Sequence, residues 1–211
     1  MTPPMHRADA HLQAEPKQRQ EMAADLHASS IQGGFLPTLG RRFLTVVYQC
    51  IDEHPDCVLL TESSNGRVIG FVAGTTGRWS LRQVLRLHPF RAAAALAPCL
   101  ISPGRLKGIV RIATYAGHRA DKEPTWPNAE LLSIAVDPEY RGTGVAERLF
   151  RRLEQAFADL GVDSFRILVG ANLAPALRFY RKMGCEEAGR LTIHGDSPSI
   201  VLARRIKEAT E

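Results

Sequence analysis

Across Ser63–Ala120 the chain contains no aspartate and no glutamate. The same stretch carries nine basic residues: Arg67, Arg78, Arg82, Arg86, Arg91, Arg105, Lys107, Arg111 and Arg119. The remainder of the 211 residues holds 18 basic against 22 acidic side chains, so the net charge of +5 belongs to one region. Such segregation points to a local anionic partner and away from general basicity.

Cysteine is scarce. Cys50, Cys57, Cys99 and Cys185 form no CxxC pair and have no histidine cluster beside them. That spacing excludes a zinc knuckle and a disulfide framework, and suits small hydrophobes in a reducing compartment. Long apolar runs are missing too. The longest, Ala92–Ile101, is too short to span a bilayer and contains Pro98. Met1–Gln20 mixes charges and prolines and does not read as a signal peptide, so the cytoplasm is the expected location. No Ser-His-Asp set and no metal-ligand spacing is present, and no metal is expected. Trp79, Phe90 and Tyr115 are sparse for base stacking, and no nucleic-acid motif accompanies them, which argues against a nucleic-acid partner.

What is present is an ordinary apolar fraction, 45%, enough for a sizeable core. Helical spacing predicts a helix over Gln18–Ser29, with Met22, Leu26 and Ile31 on one face. A second helix is expected from Pro37 to Glu53, with Leu39, Phe43, Val46, Val47 and Cys50 inward. Cys57–Thr61 and Val68–Ala73 then read as strands joined at Asn65-Gly66, a strong hairpin signal. Trp79–Tyr115 reads as helical again, interrupted at Pro89, Pro98 and Pro103-Gly104, with Leu81, Val84, Leu85 and Leu87 as packing surface. A strand over Glu130–Val136 leads into an amphipathic helix over Val145–Leu160. A strand at Phe165–Val169, a helix at Pro175–Met183 and two last strands near Glu186–Ile193 and Ser199–Ala203 follow. The pattern is a mixed α/β sheet with helices on its faces.

One stretch carries chemistry. Leu131–Val136 is a buried strand, Asp137-Pro138-Glu139-Tyr140-Arg141-Gly142-Thr143-Gly144 is a turn, and Val145-Ala146 opens the long helix. A helix N-terminus offers unpaired N–H groups and a positive dipole end, and glycines let the backbone approach a diphosphate. A Walker loop would need Gly-Lys-Ser/Thr, and a dinucleotide fingerprint would need glycine where Glu147 stands. Neither fits.

The pattern Arg141-x-x-Gly144-x-Ala146, in this setting, resembles the Arg/Gln-x-x-Gly-x-Gly/Ala signature of GNAT superfamily N-acetyltransferases. Phe179-Tyr180-Arg181-Lys182-Met183-Gly184-Cys185 is similar to the family's later helix end. The resemblance covers Cys57–Ala73 and Ala129–Ala203 and fits the two early helices loosely. It implies an α/β fold with a mixed, largely antiparallel, splayed sheet flanked by helices. A helical insert over 77–119 would lie between the third and fourth strands, counting the residues before Pro16 as an edge strand. The whole of 1–211 is then one domain.

The resemblance also implies acetyl-CoA as cosubstrate. Its diphosphate would sit on Arg141, Gly142, Thr143, Gly144, Val145 and Ala146, and its pantetheine arm along Ile134, Ala135 and Val136. Asn172 resembles the family's cofactor-contacting asparagine. Its spacing to the tyrosine is one residue longer than usual, and an N-cap is the other account. Glu130 matches the general base of histone-type members, or is a solvated strand-end carboxylate. Tyr180 matches the general acid, or is a core tyrosine packed with Leu177 and Phe179. His27, Ser29, Ser30, Gln32 and His194 fall where the family builds acceptor sites, and read as loop residues. The expected acceptor is a small-molecule amine, with an anionic or nucleotide-linked amino sugar suited to the basic insert. The insert would then be a lid, a patch for peripheral membrane contact, or a solvated surface. Protein N-acetylation and a non-catalytic CoA- or nucleic-acid-binding module are the competing functions.

Overall fold

The computed structural model describes residues 15–31, 36–77, 79–99, 126–194 and 197–206. Helix α1 spans Pro16–Ser30, with proline at its first turn, where a missing N–H leaves no bond unmade. Its inward face holds the expected residues and is wider than expected. Gln20, Ala23, Ala24, Leu26 and His27 are buried, and Met22 and Ile31, half-buried, pack against the same core. The two alanines widen the face, because their small side chains let α1 lie close against its neighbours.

One neighbour, α2, spans Arg41–Glu53. It starts later than Pro37, because a 3₁₀ turn over Leu36–Leu39 and Gly40 at φ 90° come first. Strands β1 (Cys57–Ser64) and β2 (Arg67–Thr75) form the expected hairpin. Asn65 and Gly66 both take positive φ, 51° and 75°, which matches the twist of two-residue hairpins.

Two short helices follow, α3 (Leu81–Leu87) and α4 (Pro89–Leu96). Ser80 and Gln83 form a capping box at the start of α3. Both helices pack on the C-terminal half of α2. Arg91 Nη1 donates to Gln49 Oε1 at 2.7 Å, and Gln83 Nε2 lies 3.1 Å from His54 Nε2. Val84 and Ala92 are fully buried. Leu85 and Leu87, expected to pack, are 47% and 53% exposed, because the contact with α2 is a single stripe through Val84. Arg78, the side chain of Leu81 and residues 100–119 of the expected insert lie outside the described residues.

The remaining elements are β3 (Ala129–Val136), α5 (Val145–Asp159), β4 (Ser164–Gly170), α6 (Ala174–Lys182), β5 (Glu186–His194) and β6 (Ser197–Arg205). The six strands run in the order β1-β2-β3-β4-β6-β5. Only β3 and β4 are parallel, so the sheet is mixed and largely antiparallel, as expected. The expected edge strand before Pro16 falls on residues 1–14, outside the described ones. Among the described strands the α3–α4 pair therefore stands between the second and third. No described helix is long and apolar enough to cross a membrane.

The sheet separates two cores. On one face Phe43, Leu44, Val47, Tyr48, Phe71 and Ala135 pack with α1, α2, α3 and α4. On the other, Phe150, Leu153, Phe157, Phe165, Leu177 and Tyr180 pack under α5 and α6. Close approach of α5 to β2 requires glycine at two positions. A Cβ on Gly70 would lie 2.9 Å from Leu149 and Val145, and one on Gly74 would lie 2.7 Å from Phe157.

Candidate active site

Strands β3 and β4 pair only at Ala129↔Phe165, Glu130↔Arg166 and Leu131↔Ile167. Beyond Leu131 they part. Each keeps its other neighbour: β3 stays on β2 as far as Val136, and β4 stays on β6 as far as Gly170. The result is a V whose inner edges are the main chains of 132–136 and 168–170. Asp137 N donates to Ile69 O at 2.8 Å, which makes that a hydrogen-bonded pair. Antiparallel alternation then turns the amides of Ala135 and Ser133 toward β2, and those of Ile134 and Val136 toward the gap.

At the open end of the V, β3 runs into the turn. Buried Asp137 organises it, accepting from Glu139 N at 3.1 Å and from Arg67 Nη2 at 2.6 Å. Arg141 Nε donates back to Val136 O at 3.3 Å, and Thr143 Oγ1 donates to Tyr140 O at 2.7 Å. Gly142 and Gly144 take φ 79° and 82°, the left-handed region that other residues avoid. The first bond of α5 is Arg148 N to Gly144 O, so the amides of Val145 and Ala146 open the helix without a helical partner. Arg141, Gly142 and Thr143 are exposed. Glu147, the acid in this first turn, is held by Lys182 Nζ at 3.0 Å, and that bond keeps its carboxyl below the usual range.

Glu130 sits at the closed end of the V. Its neighbours Ala129 and Leu131 face α5, so Glu130 faces the α1–α2 side. It is not a solvated strand end. Its side chain is 17% exposed, and Oε2 accepts from Arg166 Nε at 2.9 Å. Tyr180 lies on the opposite face of the sheet, buried against Phe150 and Phe179. Burial pushes its phenol well above the ordinary value, and the nearby Cys185 adds to the shift. The two expected proton-transfer groups are therefore on opposite sides of the sheet.

Asn172 is exposed in the turn after β4, at the open end of the V. The capping account of it fails. Leu173 holds the N-cap position of α6, and no side-chain capping bond is made.

The acceptor-side residues change character most. His27, Ser29 and Ser30 are in α1 and are not loop residues. His27 is buried, and its Nδ1 lies 2.6 Å from Tyr48 Oη, which lies 3.0 Å from Ser133 Oγ. Burial lowers the His27 pKa to about 4 and raises that of Tyr48. Tyr48 and Ser133 were not legible as site residues. The available signal was a tyrosine on the buried stripe of α2. Gln32 and the side chain of His194 lie outside the described residues. A cleft of about 410 Å³ opens on the α1 side of this end of the sheet, lined by residues that include Asp25, Ser29, Arg67 and Asp137. Among the described residues no group of three or more His, Cys, Asp or Glu is placed to hold a metal ion.

A strand pair that parts, with an amide-lined turn at its open end, defines a class. The chain belongs to the acetyltransferase (GNAT) family, whose model matches residues 26–185. Members transfer an acetyl group from acetyl-CoA, and acetyl-CoA is the cosubstrate here. Among solved structures, the chain is similar to Ard1 from Thermoplasma volcanium, with 18% identity, 92% of this chain and 95% of that one covered, and a TM-score of 0.57. It is also similar to an aminoglycoside 6'-N-acetyltransferase complexed with coenzyme A, with 13% identity, coverage of 91% and 93%, and a TM-score of 0.56. A third is an N-acetyltransferase from Staphylococcus aureus Mu50, with 16% identity, coverage of 90% and 94%, and a TM-score of 0.55. At these identities the likeness is one of fold. Comparison with curated protein sequences gives no match.

Proposed function

We propose that the protein acetylates the nitrogen of a small-molecule amine. The observation that carries this is the parting of β3 and β4 after Leu131 and Ile167, with the Arg141–Ala146 amides at the open end and Glu130 at the closed end. The competing CoA-binding module needs no carboxylate there.

The chain's own groups divide the work. The turn amides, and the positive end of α5, suit a diphosphate. The gap-facing amides and carbonyls of Ile134 and Val136 suit the amide groups of a pantetheine arm, with Ala135 between them and Asn172 across the gap. Bound acetyl-CoA supplies an activated acyl group and a thiolate leaving group. An alkylammonium with a pKa of about 10.4 must lose a proton before it can attack. Glu130 takes that proton, directly or through water. Tyr180 keeps its own proton at neutral pH because of its burial, and offers O–H to the departing sulfur.

The acceptor class is inferred from charge. A nucleotide-linked amino sugar carries phosphates, which arginine recognises through its planar fork. The acid-free stretch supplies Arg82, Arg86 and Arg91, all exposed on α3 and α4. In this reading 1–211 is one domain, and α3 and α4 of the 77–119 insert touch the acceptor.

The test is a thiol-release screen with acetyl-CoA across amino sugars, nucleotide-activated amino sugars, polyamines, amino acids, aminoglycosides and peptides. A nucleotide-linked amino sugar should turn over fastest, with a KM that rises with salt. Its product should resist hydroxylamine, as an amide does and an ester does not. A hydroxylamine-labile product from the best acceptor would refute nitrogen transfer. Preference for peptides would refute the small-molecule class.

A further inference from the structure

The His27–Tyr48–Ser133 chain is not needed to hold α1 and α2 together, since apolar side chains surround it. It does have a position. Ser133 lies two residues beyond Leu131, the last residue of β3 that pairs with β4. Opposite it, the β2–β3 register shifts between Ala73 and Gly74, which pair with Ser133 and Leu131 and leave Leu132 as an extra residue. Such a bulge re-aims the side chains that follow it. Without it, residues 130 and 133 would face opposite sides of the sheet. With it, Ser133 reaches Tyr48 on the α2 side, the same side as Glu130.

The direction of the two bonds follows from the groups. A phenol is a better donor than an alcohol, and a neutral imidazole nitrogen is a better acceptor than a phenol oxygen. His27 is neutral near pH 7, because burial lowers its pKa to about 4. Tyr48 is fully protonated there, because burial raises its own pKa. The matched arrangement is Tyr48 O–H donating to His27 Nδ1, and Ser133 O–H donating to Tyr48 Oη. The Ser133 proton is then committed inward, and only its lone pairs face outward.

We infer that His27 and Tyr48 fix the Ser133 hydroxyl so that Oγ offers lone pairs on the Glu130 side of the gap and binds N–H groups of the incoming amine. Ser133 is the contact residue, and Tyr48 and His27 are positioning residues. The inference rests on the N-acetyltransferase reading and adds a selection to it. Two acceptors side by side, Ser133 Oγ and the Glu130 carboxylate that Arg166 holds, favour a group rich in N–H donors over a hydroxyl, which has one.

The test uses the full chain saturated with CoA, which has no acyl group to transfer to the probe, and ¹⁵N spectra of its imidazoles at neutral pH. His27 should be neutral and protonated on Nε2, with Nδ1 shifted by an accepted hydrogen bond, and Tyr48→Phe should abolish that shift. A proton on Nδ1 would reverse the chain and overturn the inference. Titration with n-butylamine should then move the Ser133 amide signal. Ser133→Ala should weaken butylamine binding by roughly 5–10-fold, the share of one hydrogen bond, and Ser133→Thr should restore it. An equal response in Ser133→Ala, or none in the wild type, overturns the inference. Calorimetric binding of acetyl-CoA to the same proteins, prepared free of cofactor, separates the two levels. If acetyl-CoA binds while the tautomer is wrong, only the relay falls; if it does not bind, the relay and the function fall together.

Discussion

The two faces of the sheet are built differently. The α5–α6 face is mostly aromatic, and its buried carboxylate, Glu154, is paired with Arg204. Phe150, Phe157 and Phe165 are fully buried, and the Phe165 ring centroid lies 5.8 Å from that of Phe150 and 5.2 Å from that of Phe157. The α1–α2 face buries polar groups: His27, Tyr48 and Ser133 in a line, and Glu130 beside Arg166. In the proposed reading the cofactor is held mainly by main chain, whereas the acceptor is met by side chains. Backbone amides exist in every sequence, so one turn geometry serves a whole family. Side chains are free to vary, so acceptor choice is written in them.

The comparison can be broken by moving chemistry or stability to the wrong face. The largest effect should come from Glu130→Gln, which should lower kcat by about 10²–10⁴ with acetyl-CoA affinity unchanged. Activity should partly return at high pH, where the acceptor is already free amine. Steady-state kinetics with kcat near wild type would mean that this carboxylate is not the base.

Next, Phe157→Ala should cost about 3–5 kcal/mol of stability, as truncation of a fully buried aromatic does. A denaturant midpoint that barely moves would show that the aromatic cluster contributes little to the fold.

His27 sharpens the contrast through pH. Its folded pKa of about 4 lies below the reference 6.5, so between those values the unfolded chain binds a proton that the folded one does not. Stability from this group is present above pH ~6.5 and falls as pH drops toward ~4, by roughly 3 kcal/mol in all. Melting temperatures of wild type and His27→Gln should converge as pH falls through that window. Parallel curves would mean that His27 titrates normally.

The smallest effect should come from Tyr180→Phe. It should slow kcat by roughly 10-fold, less than Glu130→Gln, because burial makes the phenol a weak acid. Stopped-flow or steady-state rates unchanged from wild type would leave Tyr180 as packing alone.

The same contrast explains what could be seen in the sequence. The Arg141–Ala146 turn was legible because its parts are local: a buried strand, two glycines and an amphipathic helix in one run. The hairpin at Asn65-Gly66 was legible for the same reason. Tyr48 and Ser133 were not, nor was their link to His27, since the bonds joining the three span 21 and 85 residues. On α1, apolar size reveals Met22, Leu26 and Ile31, which do pack on the core, but not the buried Ala23 and Ala24 beside them. The pairing of Glu130 with Arg166 needed the parallel register of β3 and β4, which no local pattern contains. Gly70 and Gly74 sat in a plain strand pattern, and only the approach of α5 explains them.

The central claim is that the Arg141–Ala146 turn holds the diphosphate. Calorimetric titration of acetyl-CoA into Gly144→Glu tests it, with Gly161→Glu as a matched control. Both glycines have left-handed φ, 82° and 74°, so both substitutions carry similar backbone strain, about 1–2 kcal/mol. Only the first places a carboxylate on the turn, where a Cβ meets nothing closer than the flexible Arg148 Nη1 at 3.1 Å. The account predicts that Gly144→Glu loses affinity by on the order of 10²-fold, the share of two or so charge-assisted hydrogen bonds, while Gly161→Glu binds as wild type does. Equal affinity in the two folded variants would contradict it.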